Sequence, residues 1–262
     1  MRKFNVLSGL PRSGSTLLAN LLNMNSRFHA TPTSGMIDTL KAIRNTISAN
    51  ITWRAKNRLE LMPNIESGLR GFIEGYYFNK EVVFDKCRVW PSHLPLLDTI
   101  LGNTDSKIIW TYRDPVEIVG SIESKYQNTI LLENMDESGA PMAFATLDRR
   151  IGTYCEQGGL ISFPIECLRD AIDNGYGDRI LLVKYFDLTN NTQEVLDGIH
   201  DFIGEPRVKY DLKELKQTTF EFDGFYNYKF PHTIKEGGVN FKQSSNILPE
   251  KYKNFINERF AG

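Results

Sequence analysis

Residues 4–24, FNVLSGLPRSGSTLLANLLNM, decide the fold: an apolar run, the turn GLPRSGST at 9–16, and an apolar helix entered without a linker. Residues 4–8 are apolar enough for a strand buried on both faces, as parallel sheets require. Leu17, Leu18, Leu21 and Leu22 recur as one stripe of a helix over 16–24. Gly9 and Gly14 allow a tight turn. The N–H groups of residues 13–16 then converge on one point, where the helix N-terminus adds roughly half a positive charge. Ser13, Ser15 and Thr16 bring hydroxyl donors, and Arg12 brings a guanidinium fork suited to phosphate. A turn that merely opens a helix is the bland alternative; the density of donors between strand and helix argues for an anion. The spacing Gly9-x4-Gly14-Ser15-Thr16 nearly matches the nucleoside-triphosphate P-loop, but Ser15 stands where the lysine belongs. That lysine spans the β- and γ-phosphates, and the hydroxyl beside it holds Mg²⁺. Its loss argues against a triphosphate–Mg²⁺ substrate and suits a single terminal phosphate.

Further strands are expected at 81–85 (EVVFD), 107–112 (KIIWTY) and 179–185 (RILLVKY). Helices are expected at 36–53, 65–78, 93–101, 115–126, 142–173 with a break at Gly158-Gly159, 192–203 and 248–260. FHATPTSG at 28–35 reads as a loop because Pro32 and Gly35 resist regular structure. Residues 128–140 read as an exposed loop, and 220–242, rich in aromatics and glycine, as a structured one. Strands alternating with helices give a three-layer α/β fold with a mainly parallel central sheet. Ligands of such sheets bind beyond the carboxyl ends of the strands. Residues 12–16, Asp85-Lys86 and Arg113 all fall there.

The 262 residues fit a single domain over 1–262. A net charge of −1 gives no global attraction for nucleic acid or an anionic membrane, so an anion must meet a local basic cluster. Cys87, Cys155 and Cys167 are odd in number and lack zinc-site spacing, and read as reduced thiols with no metal. No secretory leader and no apolar run of about 20 residues is visible, so a cytoplasmic location is expected.

WTYRDPVEIVGSIESKY at 110–126 supplies a second anion site. Arg113 leaves the strand, Ser121 follows eight residues later, and Lys125 shares a helix face with Ser121. LPRSGSTLL at 10–18 resembles the 5′-phosphosulfate loop of sulfotransferases. YRDPVEIVGS at 112–121 resembles their 3′-phosphate motif, and 179–206 resembles their later strand–helix unit. The likeness spans roughly 4–206 and is closer to the protein-tyrosine and carbohydrate branches than to the small-molecule cytosolic branch. It implies a P-loop-like fold and 3′-phosphoadenosine 5′-phosphosulfate (PAPS) as sulfuryl donor. Adenosine 3′,5′-bisphosphate (PAP) is then the product, no metal is needed, and the absent lysine is expected.

The resemblance also implies roles. Arg12, Ser13, Gly14, Ser15 and Thr16 would hold the 5′ end, and Arg113, Ser121 and Lys125 the 3′-phosphate. Lys86 and Arg12 would meet charge at the reacting group. VVFDKCRVW resembles the segment in which a carboxylate before the lysine is the base, making Asp85 the first candidate, although Asp replaces Glu and Cys87 a usual Ser/Thr. His93 in SHLP and His29 in FHATPTSG are rival bases. Tyr185 is a candidate for adenine contact and Lys235 for a loop closing over the nucleotide. Phe220, Phe222, Phe225, Tyr226, Tyr228 and Phe230 suit either an apolar acceptor pocket or core packing. Segments 36–78 and 128–175 form the acceptor side. The acceptor is expected to be a hydroxyl or amine of a small molecule or carbohydrate rather than a protein, with no nucleic-acid or membrane partner. A P-loop kinase using ATP–Mg²⁺ and a non-catalytic nucleotide-binding module are the alternatives.

Overall fold

The computed structural model describes residues 3–127, 146–223 and 232–260. Five strands form one all-parallel sheet: β1 (Lys3–Gly9), β2 (Phe28–Thr33), β3 (Val82–Lys86), β4 (Ile108–Tyr112) and β5 (Ile180–Lys184), in the order β2-β3-β1-β4-β5. Strand alternation divides the core between the two faces. Phe4, Val6, Val83, Ile108 and Trp110 point to one face. Leu7, Val82, Phe84, Ile109 and Val183 point to the other.

The first face is covered by α2 (Met36–Ala49), α4 (Arg58–Tyr76), α5 (Leu94–Leu101), α6 (Pro115–Gln127), α7 (Leu147–Cys155), α8 (Ser162–Asp173) and α11 (Glu250–Phe260). The second is covered by α1 (Ser15–Leu22) and α10 (Thr192–Phe202). Two short helices, α3 (Ile51–Arg54) and α9 (Tyr185–Asn190), complete the described set. This is the three-layer α/β architecture expected. Among the described residues no helix is long and apolar enough to cross a membrane, and all three cysteines are free thiols.

Three expectations need correction. Residues 28–35 are not all loop: Phe28–Thr33 pairs with β3, and the register shifts between Ala30 and Thr33, around Pro32, which has no N–H to give. The helix expected over 36–53 breaks at Asn50, whose Oδ1 accepts from the N–H groups of Thr52 and Trp53 and starts α3. The helix expected from residue 65 begins at Arg58, capped by Asn57, and carries Pro63 inside it. The break expected at Gly158-Gly159 is present: the described part of 142–173 is two helices, with Gly158 at φ +72° between them. The loop expected at 128–140 lies outside the described residues.

Candidate active site

Register brings the chemistry to one edge. Leu7 lies opposite Lys86, Gly9 opposite Thr111, Thr33 opposite Lys86, and Tyr112 opposite Lys184. All these strand ends point the same way. Gly9 turns sharply at φ +140°, and any Cβ there would collide with Thr111. Arg12 and Gly14 are both left-handed, at φ +57° and +90°. Gly14 opens α1 without a side-chain cap, so the first-turn N–H groups remain available to an anion. Ser13 departs from expectation: its hydroxyl donates to Leu10 O at 2.6 Å and lies 2.6 Å from Thr111 Oγ1. That fully buried group braces the loop from behind.

A cavity of ≈ 540 Å³ opens over these ends, a volume suited to a nucleotide. Gly14, Ser15, Thr16, Ser121 and Tyr185 line it with six cations: Arg12, Arg88, Arg113, Lys125, Lys235 and Lys242. No carboxylate is among its lining residues in the described chain. On a chain of net charge −1, that concentration of one sign draws an anion to this edge. Arg88 and Lys242 were not singled out from the sequence.

Arg113 anchors the far end. Its Nη1 donates to Arg12 O at 3.2 Å, and its Nη2 to Lys242 O at 2.8 Å, Ser244 Oγ at 3.1 Å and Glu117 Oε2 at 3.2 Å. Its Nε is buried and has no partner among the described residues. Tyr185, which also presses on Gly14, lies with its ring 4.5 Å from the Arg113 Cζ, so it steadies the guanidinium as well as lining the cleft. Arg12 Nε donates to Ser121 Oγ at 3.4 Å. Burial, then the nearness of Arg113, lowers the Arg12 pKa. An anion between the two guanidiniums relieves that repulsion.

Residues 242–245 strap this corner down. Glu117 accepts from the N–H groups of Ser244 at 2.6 Å and Ser245 at 3.1 Å. Gly120 lets the strap lie directly on α6, because a Cβ there would strike Ser244 O.

On β3 the alternation of side chains separates Asp85 from Lys86. Lys86 faces α1, with Nζ 3.4 Å from Thr16 Oγ1 and 3.2 Å from Glu221 Oε1. Burial lowers its pKa, and Glu221 opposes that shift. Asp85 turns to the opposite face and is fully buried, accepting from Tyr77 OH and, at 2.6 Å, from Trp90 Nε1. Burial raises its carboxyl pKa. The two histidines are also displaced. His29 pairs with Val83 near the start of its strand, edge-on to Tyr77, and His93 holds Val89 O and Ser92 Oγ, each at 3.0 Å from Nδ1. None of Asp85, His29 and His93 lines the cleft.

The late segment supplies what these do not. Asn20 on α1 accepts from the N–H groups of Thr218 and Thr219 and donates to Thr219 Oγ1. That pins the chain so that Glu221 reaches Lys86 and accepts from Thr33 N at 2.8 Å. Burial works to raise the Glu221 pKa; Lys86, the Thr33 N–H and His232 outweigh it and hold it low. Phe220 and Phe222 alternate outward and are 75% and 81% exposed, so these two neither pack in the core nor form a closed pocket. The other four aromatics of that expectation lie outside the described residues. Asp223 accepts from His232 N at 2.9 Å and pairs with His232 Nδ1 at 2.5 Å, and His232 lines the cleft. The available signal was the alternation Phe-Glu-Phe-Asp at 220–223, which puts both carboxylates on one side.

The model of the sulfotransferase family matches residues 6–209. Among solved structures, the sulfotransferase domain from the curacin biosynthetic pathway superposes with TM-score 0.58 at 15% identity, over 99% of this chain and 97% of that one. Mouse sulfotransferase SULT7A1, complexed with PAP, gives 0.53 at 15% identity, over 99% and 83%. Retinol dehydratase in complex with androsterone and inactive cofactor PAP gives 0.51 at 12%, over 100% and 80%. At these identities the likeness is one of fold. No curated protein matches the chain.

Proposed function

The chain belongs to the sulfotransferase family, and on that premise we propose that its cleft holds PAPS and delivers the sulfuryl group to a hydroxyl or amine acceptor. The observation that carries the reading is the buried, unpartnered Nε of Arg113 in a cleft lined by six cations and no carboxylate among its described residues. A buried donor without an acceptor is costly, and the 3′-phosphate of the donor would relieve it. In this reading Arg113, Ser121 and Lys125 hold that phosphate, while the α1 N-terminus, Ser15 and Thr16 hold the 5′ end. Lys86, touching Thr16, reaches the 5′ end from β3 and with Arg12 meets negative charge on the oxygen that leaves sulfur. Lys235 and Lys242 bound the cleft on the late-segment side.

The acceptor is proposed to be a small molecule or carbohydrate entering beside 36–78 and 146–175. The test is PAP release from PAPS, followed by chromatography, with panels of alcohols, phenols, sugars and amines. Acceptor-dependent release is expected. Release no faster than in buffer with every class would sink the proposal.

A further inference from the structure

We propose that Glu221 is a positioning residue for sulfuryl transfer: it fixes Lys86 Nζ beside Thr16 and keeps that nitrogen an ammonium, a role that rests on the sulfotransferase reading above. Lys86 is held along its whole length. Its N–H donates to Thr31 Oγ1 at 2.8 Å, and its C=O accepts from Ser34 N at 2.8 Å. Its Nζ lies 3.2 Å from Glu221 Oε1 and 3.4 Å from Thr16 Oγ1, on a side chain only 8% exposed. The end of β2 shapes this clamp, because its register shifts between Ala30 and Thr33. An irregularity of that kind re-aims the groups that follow it. Here Thr33 gives its N–H at 2.8 Å and its hydroxyl at 3.1 Å to the same Glu221 Oε1 that meets Lys86. Asn20 on α1 holds 218–219 and so fixes the chain that carries Glu221. Three donors on one oxygen define its place, and Lys86 Nζ is one of them.

The same contact governs the charge of Lys86. A buried ammonium with no anion beside it gives up its proton, and a neutral amine cannot meet charge on the leaving oxygen. Burial lowers the Lys86 pKa and Arg88 adds to that; Glu221 is the main opposing group, with a smaller part from Asp223. Thr16, the contact from α1, is neutral. His232 stands on the far side of Glu221, its Nδ1 3.5 Å from Oε2. Glu221 itself is held below the usual carboxylate range, so it stays an anion wherever Lys86 titrates.

A carboxylate that merely pinned the late segment to β2 would need Thr33 alone. Among the described residues Glu221 is the carboxylate that pairs with Lys86, so the pin and the counter-charge are one group. Gln at this position keeps the shape and an acceptor oxygen for Thr33 and removes the charge. The two roles therefore separate: the pin survives in that variant, whereas Lys86 loses its proton at lower pH.

The experiment titrates Lys86 in the full chain with PAP bound, through the carbon-13 resonance of its Cε, identified by its absence in Lys86→Met. The midpoint in Glu221→Gln should lie about one pH unit or more below that of wild type. Glu221→Asp, with its charge one methylene back, should shift less, and PAP Kd at pH 6 should stay within about threefold in both. PAP release from PAPS, with 2-phenylethanol or water as acceptor, supplies the kinetic arm. The alkaline limb of kcat should move down with the midpoint, so Glu221→Gln loses about tenfold more at pH 9 than at pH 6. Coincident midpoints in wild type and Glu221→Gln, or equal losses at the two pH values, would overturn the role. If Glu221→Gln fails to fold, Glu221→Asp carries the test, and a midpoint unmoved from wild type overturns it. Wild type that binds PAP but releases none above the buffer rate sinks the transfer reading instead, while the Lys86 resonance still decides whether Glu221 holds its charge. If wild type does not bind PAP at all, the donor-binding reading itself has failed.

Discussion

The carboxyl edge of the sheet and the late segment 217–245 build one site by different means. On the edge, position follows from pairing: Lys86 sits opposite Leu7 and Thr33, and Gly9 opposite Thr111, so ladder hydrogen bonds set every functional residue to a fixed height. The late segment belongs to no strand among the described residues. Its side chains are placed by single anchors, Asn20 holding 218–219 and Arg113, Glu117 and Gly120 holding 242–245. The sheet edge and the turns that leave it thus present Arg12, Lys86 and Arg113, and a strapped segment brings Glu221, His232, Lys235 and Lys242 to the same site. On the proposed reading, a site divided in this way would couple donor binding to the order of the strap, since Arg113 would serve both.

Removing Lys86 should break that comparison most severely. Lys86→Ala should lower kcat by roughly 10²–10³-fold while PAP Kd changes by about tenfold or less; a proportional loss of both would assign Lys86 to ground-state binding. Arg113→Ala comes next. Its PAP Kd should weaken about 100-fold, roughly 2.7 kcal/mol, and the strap amides should exchange faster. Arg113→Lys should restore little, because an ammonium cannot serve the strap and a phosphate together.

The third effect is a pH dependence of the strap alone. Burial by itself would raise the Glu117 carboxyl, but the Ser245 hydroxyl, the N–H groups of Ser244 and Ser245, and Arg113 outweigh it, so its folded pKa lies below the usual value. A depressed carboxyl stabilises the fold above its unfolded pKa, and that contribution is lost as pH falls through the folded pKa. Protection of the Ser244 and Ser245 amides against hydrogen exchange should therefore fall on acidification, and Glu117→Gln should show the low-pH behaviour at neutral pH. Equal protection at all pH values would remove Glu117 as the clasp. Smallest is Asp85→Asn, expected to leave transfer within about threefold because this carboxylate faces Tyr77 and Trp90. Asp85→Ala should instead cost about 1–3 kcal/mol of stability by stranding those donors.

The edge was legible because its signals are local. Gly9, Gly14 and the donors between them lie within eight residues, and Arg113, Ser121 and Lys125 lie on one strand–helix turn. Their convergence followed from strand order and parallel direction. Asp85 was misplaced by reading adjacency as shared access: neighbours on a strand face opposite sides, and the aromatic pair that buries Asp85 comes from Tyr77 and Trp90, outside the motif. β2 was missed because Pro32 reads as a breaker, whereas an edge strand absorbs one missing N–H. Glu221 and His232 were hidden for a third reason. Glu221 meets Lys86 and Thr33, 135 and 188 residues away along the chain, and the segment that carries it and His232 is held by Asn20, 199 residues from Thr219; no periodicity records such contacts.

The central claim is that this cleft is built for a 3′-phosphorylated adenine nucleotide without a metal. Titration calorimetry of PAP, AMP and ATP–Mg²⁺ against the same protein tests it most directly. The account predicts micromolar PAP binding, AMP weaker by about 100-fold for want of the phosphate that Arg113 meets, and loss of that preference in Arg113→Ala. Binding of ATP–Mg²⁺ with no response to PAP would contradict it.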